Sequence, residues 1–195
     1  GKVYSDLKRY DEALVDYNRA IELNPEEAMF YNNRGSVYSD LKRYDEAISD
    51  FNLAIKLGHQ EFYVNRGLIF SYHGKYALAI QDYKAMLRTQ KDDLSALYNI
   101  AVAKTAWQGI NKSSKALSDA TRSLKKALDD PEKRGQALYG LGGLEILSGN
   151  KQKGLDLLVQ AIEIESLALG WAKHDIAWDE LRSDPEFQKI LHQSE

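Results

Sequence analysis

Gly35-Ser36-Val37-Tyr38-Ser39-Asp40-Leu41-Lys42-Arg43-Tyr44-Asp45-Glu46-Ala47 repeats, with one change, the opening Gly1-Lys2-Val3-Tyr4-Ser5-Asp6-Leu7-Lys8-Arg9-Tyr10-Asp11-Glu12-Ala13. The match continues with Asp16-Tyr17 against Asp50-Phe51 and Ala20-Ile21 against Ala54-Ile55, always at an offset of 34. Self-similarity at a fixed period of this length marks a repeat architecture, in which each unit buries its apolar face only against its neighbours. The next step is 32: Asn33-Arg34-Gly35 returns as Asn65-Arg66-Gly67, Tyr44 as Tyr76, Ala47 as Ala79 and Phe51 as Tyr83.

Two further units are divergent but legible. Asn65 and Gly67 recur as Asn99 and Ala101, in a stretch that ends at Trp107. The companions Ala120, Leu124 and Ala127 fall about seven residues late, roughly two helical turns, which predicts longer helices or an enlarged turn around Gly109–Ser114. The last unit runs from about Lys133 through Leu141-Gly142, turns at Ser148-Gly149-Asn150 and continues with Gly154, Leu158 and Ala161.

Each unit reads as two helices. Tyr31, Gly35, Tyr38 and Leu41 are spaced by three or four residues, as are Ala47, Ile48, Phe51, Ala54 and Ile55, whereas a strand requires alternation by two. The small residues at 1, 35, 67, 101 and 142 match small residues at 13, 47, 79, 120 and 154, so the two helices of a unit can approach closely. The aromatics at 17, 51 and 83 then fill the space toward the next unit, which accounts for many of the tyrosines by packing. Asn24-Pro25 and Asp130-Pro131 end second helices, because proline breaks a continuing helix. The fold class predicted is all-α, a solenoid of antiparallel helix pairs. Its units are 1–25, 26–59, 60–92, an enlarged 93–131 and 132–166, followed by capping helices over 167–195. Leu169, Trp171, Ile176, Trp178 and Leu181 cover the last repeat, Asp184-Pro185 reads as a cap and first residue, and Phe187, Ile190 and Leu191 close the chain.

Composition narrows the chemistry. With 26 basic and 29 acidic residues interspersed, the formal charge of -3 provides no broad positive field for nucleic acid. Cysteine is absent, which removes disulfides, thiolate metal sites and cysteine nucleophiles. No run approaches the length of a membrane-spanning segment. Gly1 opens what reads as the middle of a helix, so the expectation is a trimmed region whose cellular compartment stays open.

Tyr31, Gly35, Tyr38, Leu41, Tyr44, Ala47, Phe51 and Ala54, in that order and with Pro25 ending the preceding unit, resemble the tetratricopeptide repeat family. The resemblance covers about four and a half repeats, from Gly1 to roughly Glu165. It implies a right-handed superhelix whose concave groove, lined by the first helices, holds peptides or helices of partner proteins. One sub-class of the family grips a terminal carboxylate with Lys, Asn and Arg. Asn33 matches its middle Asn, but Glu61 and Asn65 stand where Lys and Arg are expected, and Lys2 where an Asn is. An anionic terminus would meet Glu61 rather than two cations.

The candidate ligand groove comprises Asn32, Asn33, Asn65, Asn99, Leu68, Tyr72, Tyr98 and Val102. The amides of Asn33, Asn65 and Asn99, at repeat spacing, can hydrogen-bond an extended backbone, or each can bridge its own helix to a neighbour. Val64, Leu68, Tyr72, Tyr98 and Val102 form either an exposed apolar contact patch or an internal surface buried by tighter winding around Gly109. The four histidines are scattered without a second ligand at metal spacing, and the carboxylates Asp16, Asp50 and Asp82 recur with the repeat, as expected of helix starts and solvated faces. No phosphate loop or nucleophile elbow is present, and Arg122, Lys125 and Lys126 beside Asp129-Asp130 are too few for a nucleic-acid stripe. The sequence therefore indicates a non-enzymatic protein-interaction module without cofactor or metal. The alternative is a structural or self-associating segment that positions neighbouring domains or subunits.

Overall fold

The computed structural model describes residues 9–192, and every regular element in that span is helical. The chain divides into two compact units, residues 1–91 and 92–195. The first contains α1 (Tyr10–Leu23), α2 (Ala28–Asp40), α3 (Tyr44–Lys56), α4 (Phe62–Tyr72) and α5 (Tyr76–Thr89). The expected opening of the first repeat, residues 1–8, lies outside the described residues.

Helices α2 and α3 form one antiparallel pair, α4 and α5 the next, each joined by a three-residue turn. The turns are built alike. Arg43 N donates to Tyr38 O at 2.8 Å, and Lys75 N to Phe70 O at 2.7 Å, each reaching back five residues to satisfy a carbonyl at the helix end. Such a turn needs one left-handed residue: Gly74 supplies it with φ 69°, whereas Lys42 adopts it with φ 58° despite its side chain. Within each pair the small residues bring the helices together. A methyl group on Gly35 would stand 3.2 Å from the Phe51 ring and 3.3 Å from Ala47 O, and one on Gly67 would stand 2.6 Å from Tyr83.

A charged brace recurs beside these contacts. Arg34 donates to both carboxylate oxygens of Asp50 at 2.7 Å and through Nη1 to Asn18 of α1 at 2.7 Å. Arg66 donates likewise to Asp82 at 2.7 and 2.6 Å and through Nη1 to Asn52 of α3. One guanidinium thus ties the second helix of its own repeat to that of the preceding one. The aromatics one turn before and after, Tyr31 and Tyr38 for Arg34 and Tyr63 and Phe70 for Arg66, lie 5.4–5.8 Å from the cation. This corrects the reading of the periodic carboxylates as solvated: Asp16 is exposed, but Asp50 and Asp82 are buried, and only pairing makes buried carboxylates tolerable.

The second unit contains α6 (Leu94–Gln108), α7 (Ile110–Ala127), α8 (Arg134–Leu147), α9 (Lys151–Ile164), α10 (Leu167–Ala172), a 3-10 helix (Ile176–Leu181) and α11 (Pro185–His192). Of the two outcomes expected near Gly109, the longer helix is the one found. A single residue, Gly109 with φ 79°, separates α6 from α7, and the extra length lies in the 18-residue α7. In the α8/α9 pair the backbone carbonyls of Gly142 and Gly154 face the partner glycine closely enough that a methyl group on either would stand 3.0 Å from the opposite oxygen. Asp184 caps α11 by accepting from the backbone N–H of Glu186 and Phe187, each at 3.1 Å. Trp178 is fully buried, stacked on Phe187 at 5.6 Å with Gly142 beneath it.

Candidate functional site

In the first unit the structure brings Asn32, Asn33 and Asn65 together. Asn65 Nδ2 donates to Asn32 Oδ1 at 2.8 Å, and Asn32 Nδ2 donates to Asn33 Oδ1 at 3.2 Å, so the amides link α2 to α4. Asn32 is buried, while Asn33 and Asn65 are half-buried. The bridging alternative therefore describes the Asn32–Asn65 contact. The network does not use the NH2 of Asn33 or the carbonyl oxygen of Asn65, and those two groups can address a ligand backbone.

Equivalent positions one repeat apart pair polar with apolar side chains along this face. Asn32 corresponds to Val64, Ser36 to Leu68 and Asp40 to Tyr72 at the offset of 32. Val64, Leu68 and Tyr72 are half-buried, with Tyr72 packed against the Ala47, Phe51 and Ile69 cluster. Ser71 is buried and shares a hydrogen bond with the Tyr83 hydroxyl at 3.2 Å, so it belongs to the interior. At the two ends of the face stand exposed Asp40 and exposed Glu61, the latter bonded to His59 at 2.8 Å. That bond holds the Glu61 carboxyl below the usual carboxylate range.

The second unit corrects part of the expected site. Tyr98 and Val102 are 5% and 2% exposed, so they are not surface contacts. For Tyr98 the chain's own C-terminal segment supplies the cover. Tyr98 and Tyr139 hydroxyls both donate to Asp175 Oδ2 at 2.7 Å, and Asp175 Oδ1 accepts from Ala177 N at 2.9 Å. Trp171 meets Tyr139 edge-on at 5.2 Å, and Arg182 donates to the carbonyls of Ala172 and Asp175 at 2.6 and 2.9 Å, fixing the segment. Gly143 leaves the space that the Tyr98 hydroxyl occupies. Burial pushes the Asp175 carboxyl up, with the tyrosine and Ala177 donors opposing, and burial together with the Asp175 charge pushes the Tyr98 phenol well above 10. Asn99, half-buried, belongs to this second unit. Sequence reading missed the Arg34 and Arg66 braces; the joint recurrence of Arg34/Arg66, Asp50/Asp82 and Asn18/Asn52 was the available signal.

Among the described residues no group of three or more His, Asp or Glu is arranged to hold a metal ion, and no helix is long and apolar enough to cross a membrane.

A family model described as "TPR repeat" matches residues 1–41, and a second, "Tetratricopeptide repeat", matches residues 28–60. No curated protein sequence matches the chain. Among solved structures, the chain is similar to YrrB, described as a TPR protein with an unusual peptide-binding site, at 22% identity over 88% of each chain with a TM-score of 0.54. It is also similar to a tetratricopeptide repeat protein from Parabacteroides merdae, at 17% identity over 98% of this chain and 80% of that one, TM-score 0.63. A third is a putative kinesin light chain from Podospora anserina with nearly identical TPR-like repeats, at 13% identity over 85% of this chain and 91% of that one, TM-score 0.61. At these identities the likeness concerns the fold, an all-α array of paired antiparallel helices. The two family models match tetratricopeptide repeats over residues 1–60, and the solved structures share that repeat fold along most of the chain.

Proposed function

We propose that the chain is a non-enzymatic interaction module that holds an extended peptide or a helix of a partner protein on the α2–α4 face of its first unit. The observation that supports this most is the amide network of Asn32, Asn33 and Asn65, which keeps an unused donor and an unused acceptor beside half-exposed Val64 and Leu68. A backbone can pair with the amides while an apolar anchor covers the two aliphatic side chains. The corresponding positions of the second unit, Tyr98 and Val102, are buried, Tyr98 against Asp175 of the C-terminal segment, and are left out of the proposal. The fold shared with YrrB, described as having an unusual peptide-binding site, agrees with this reading.

The test uses a twelve-residue peptide selected by phage display against the whole chain, with affinity measured by calorimetry. Leu68→Asp and Asn33→Ala should each weaken binding by about 1–3 kcal/mol, while circular dichroism and melting stay native-like. Unchanged affinity in both variants, with native melting, rejects this face. Light scattering on the same samples distinguishes a ligand site from a contact between copies.

A further inference from the structure

The enlarged hairpin of the second unit carries a surface that the repeat pattern does not require. Gly109 lies eleven residues ahead of Ala120, whereas the turn residues Lys42, Gly74 and Gly149 lie five ahead of Ala47, Ala79 and Gly154. Counted from its first helical residue, α7 is longer at its start by about seven residues, roughly 10 Å. Insertions in repeat arrays gather on one face, often one that binds.

This insertion adds Lys112 and Lys115 to a line that continues through Asp119, Arg122 and Lys126, spaced by three and four residues and hence on one helical face. The Lys115 and Arg122 side chains are 88% and 78% exposed, and Lys112 and Lys126 are exposed too. The acid within the line, Asp119, sits 2.9 Å from Lys115 and 3.9 Å from Arg122, and Lys126 shares a hollow with Asp92, Asp129 and Asp130, so the net positive charge lies at Lys112, Lys115 and Arg122. Lys104 of α6 also adds its charge at Asp119, so the side of α6 that bears Lys104 borders the stripe. One turn further along α6 is Trp107, 52% exposed although tryptophan is costly to leave in water.

We propose that this face is a docking surface for an acidic segment of a partner protein that carries an apolar residue beside its carboxylates to cover Trp107. The charge complementarity favours a peptide over a bilayer or a nucleic acid, because both of those present phosphates at every point and would press them against Asp119. A peptide can set a neutral residue there. Ile110, nine residues before Asp119, lies on the opposite side of α7 from the charged line.

The probe is a blocked, fluorescein-labelled octapeptide of Glu with two central Leu residues, read by anisotropy against the whole chain. Its counterparts carry Lys for Glu, or Ala for Leu. The Glu–Leu peptide should bind with an affinity that falls as salt rises, and Lys115→Glu with Arg122→Glu should weaken it by roughly tenfold or more. Trp107→Ala should weaken the Leu peptide several-fold and leave the Ala peptide unchanged. Circular dichroism on the same samples, with Lys115→Ala and Arg122→Ala as milder changes, establishes that the fold is intact. No binding of the Glu–Leu peptide, equal binding of the Lys peptide, or wild-type affinity in the charge-reversed variant overturns the proposal. Sedimentation of the chain with phosphatidylserine vesicles, or a shift with single-stranded RNA, abolished by the same reversal while the peptide fails to bind, assigns the face to a polyanion and overturns it as well.

Discussion

Removing the carboxylate of Asp82 tests the brace that ties the repeats of the first unit. Its two oxygens accept from Arg66 Nε and Nη2 at 2.7 and 2.6 Å, and its side chain is 5% exposed. Asp82→Ala leaves a guanidinium whose side chain is 19% exposed, with Asn52 and the rings of Tyr63 and Phe70 still beside it. Breaking a buried pair by deleting one partner costs about 3–5 kcal/mol. The remaining contacts and the partial access of water place this case near about 3 kcal/mol. Replacing both partners removes the uncompensated charge, so Arg66→Met with Asp82→Leu should recover most of the loss. The second unit has Ile100 at the position of Arg66, 8% exposed, so the array already accommodates an apolar residue there. Urea denaturation followed by far-UV circular dichroism measures both. A loss below about 0.5 kcal/mol in Asp82→Ala would refute the brace, and a double variant as unstable as the single would refute the unpaired charge as its cause.

Two other predictions concern the turns and the C-terminal cover. Lys42→Gly relieves a left-handed residue, whose strain of about 1–2 kcal/mol exceeds the roughly 0.5–1 kcal/mol of chain entropy that glycine adds, so thermal melting should show a small stabilisation. At Asp175 the folded-state pKa is raised, so its contribution is fully present below the ordinary carboxylate pKa and is lost as pH rises through the folded value. The stability of the native chain relative to Asp175→Asn should therefore improve as pH falls from neutral into the acid range; parallel stability curves would contradict it.

The helix pairs were legible because their determinants are local. Gly35, Ala47 and Phe51 announce a close helix contact within seventeen residues, and the same trio returns as Gly67, Ala79 and Tyr83. The buried character of Asp50 and Asp82 was hidden because each partner arginine lies sixteen residues away and looks like an ordinary surface charge. The choice between contact and burial stayed open for Tyr98 because Asp175, which covers it, lies in a remote, non-repetitive segment. At the α2–α4 face the sequence named the amides, but not which of them bond to one another, since Asn32 and Asn65 meet only once the repeats stack.

The two units close their structures over different stretches of chain. The arginine braces of the first unit join residues fourteen or sixteen apart and its Asn32–Asn65 bond residues 33 apart, whereas the Tyr139–Asp175 bond joins residues 36 apart and the Tyr98–Asp175 bond residues 77 apart. Local contacts repay their loop closure early, while distant ones form only after most of the intervening chain is ordered. On a ribosome, the braces of α2–α5 can assemble as each repeat emerges, but Tyr98 must wait for Asp175. Until then its hydroxyl and the aromatic surface around it stay open, and that interval is when the nascent second unit is most exposed to aggregation.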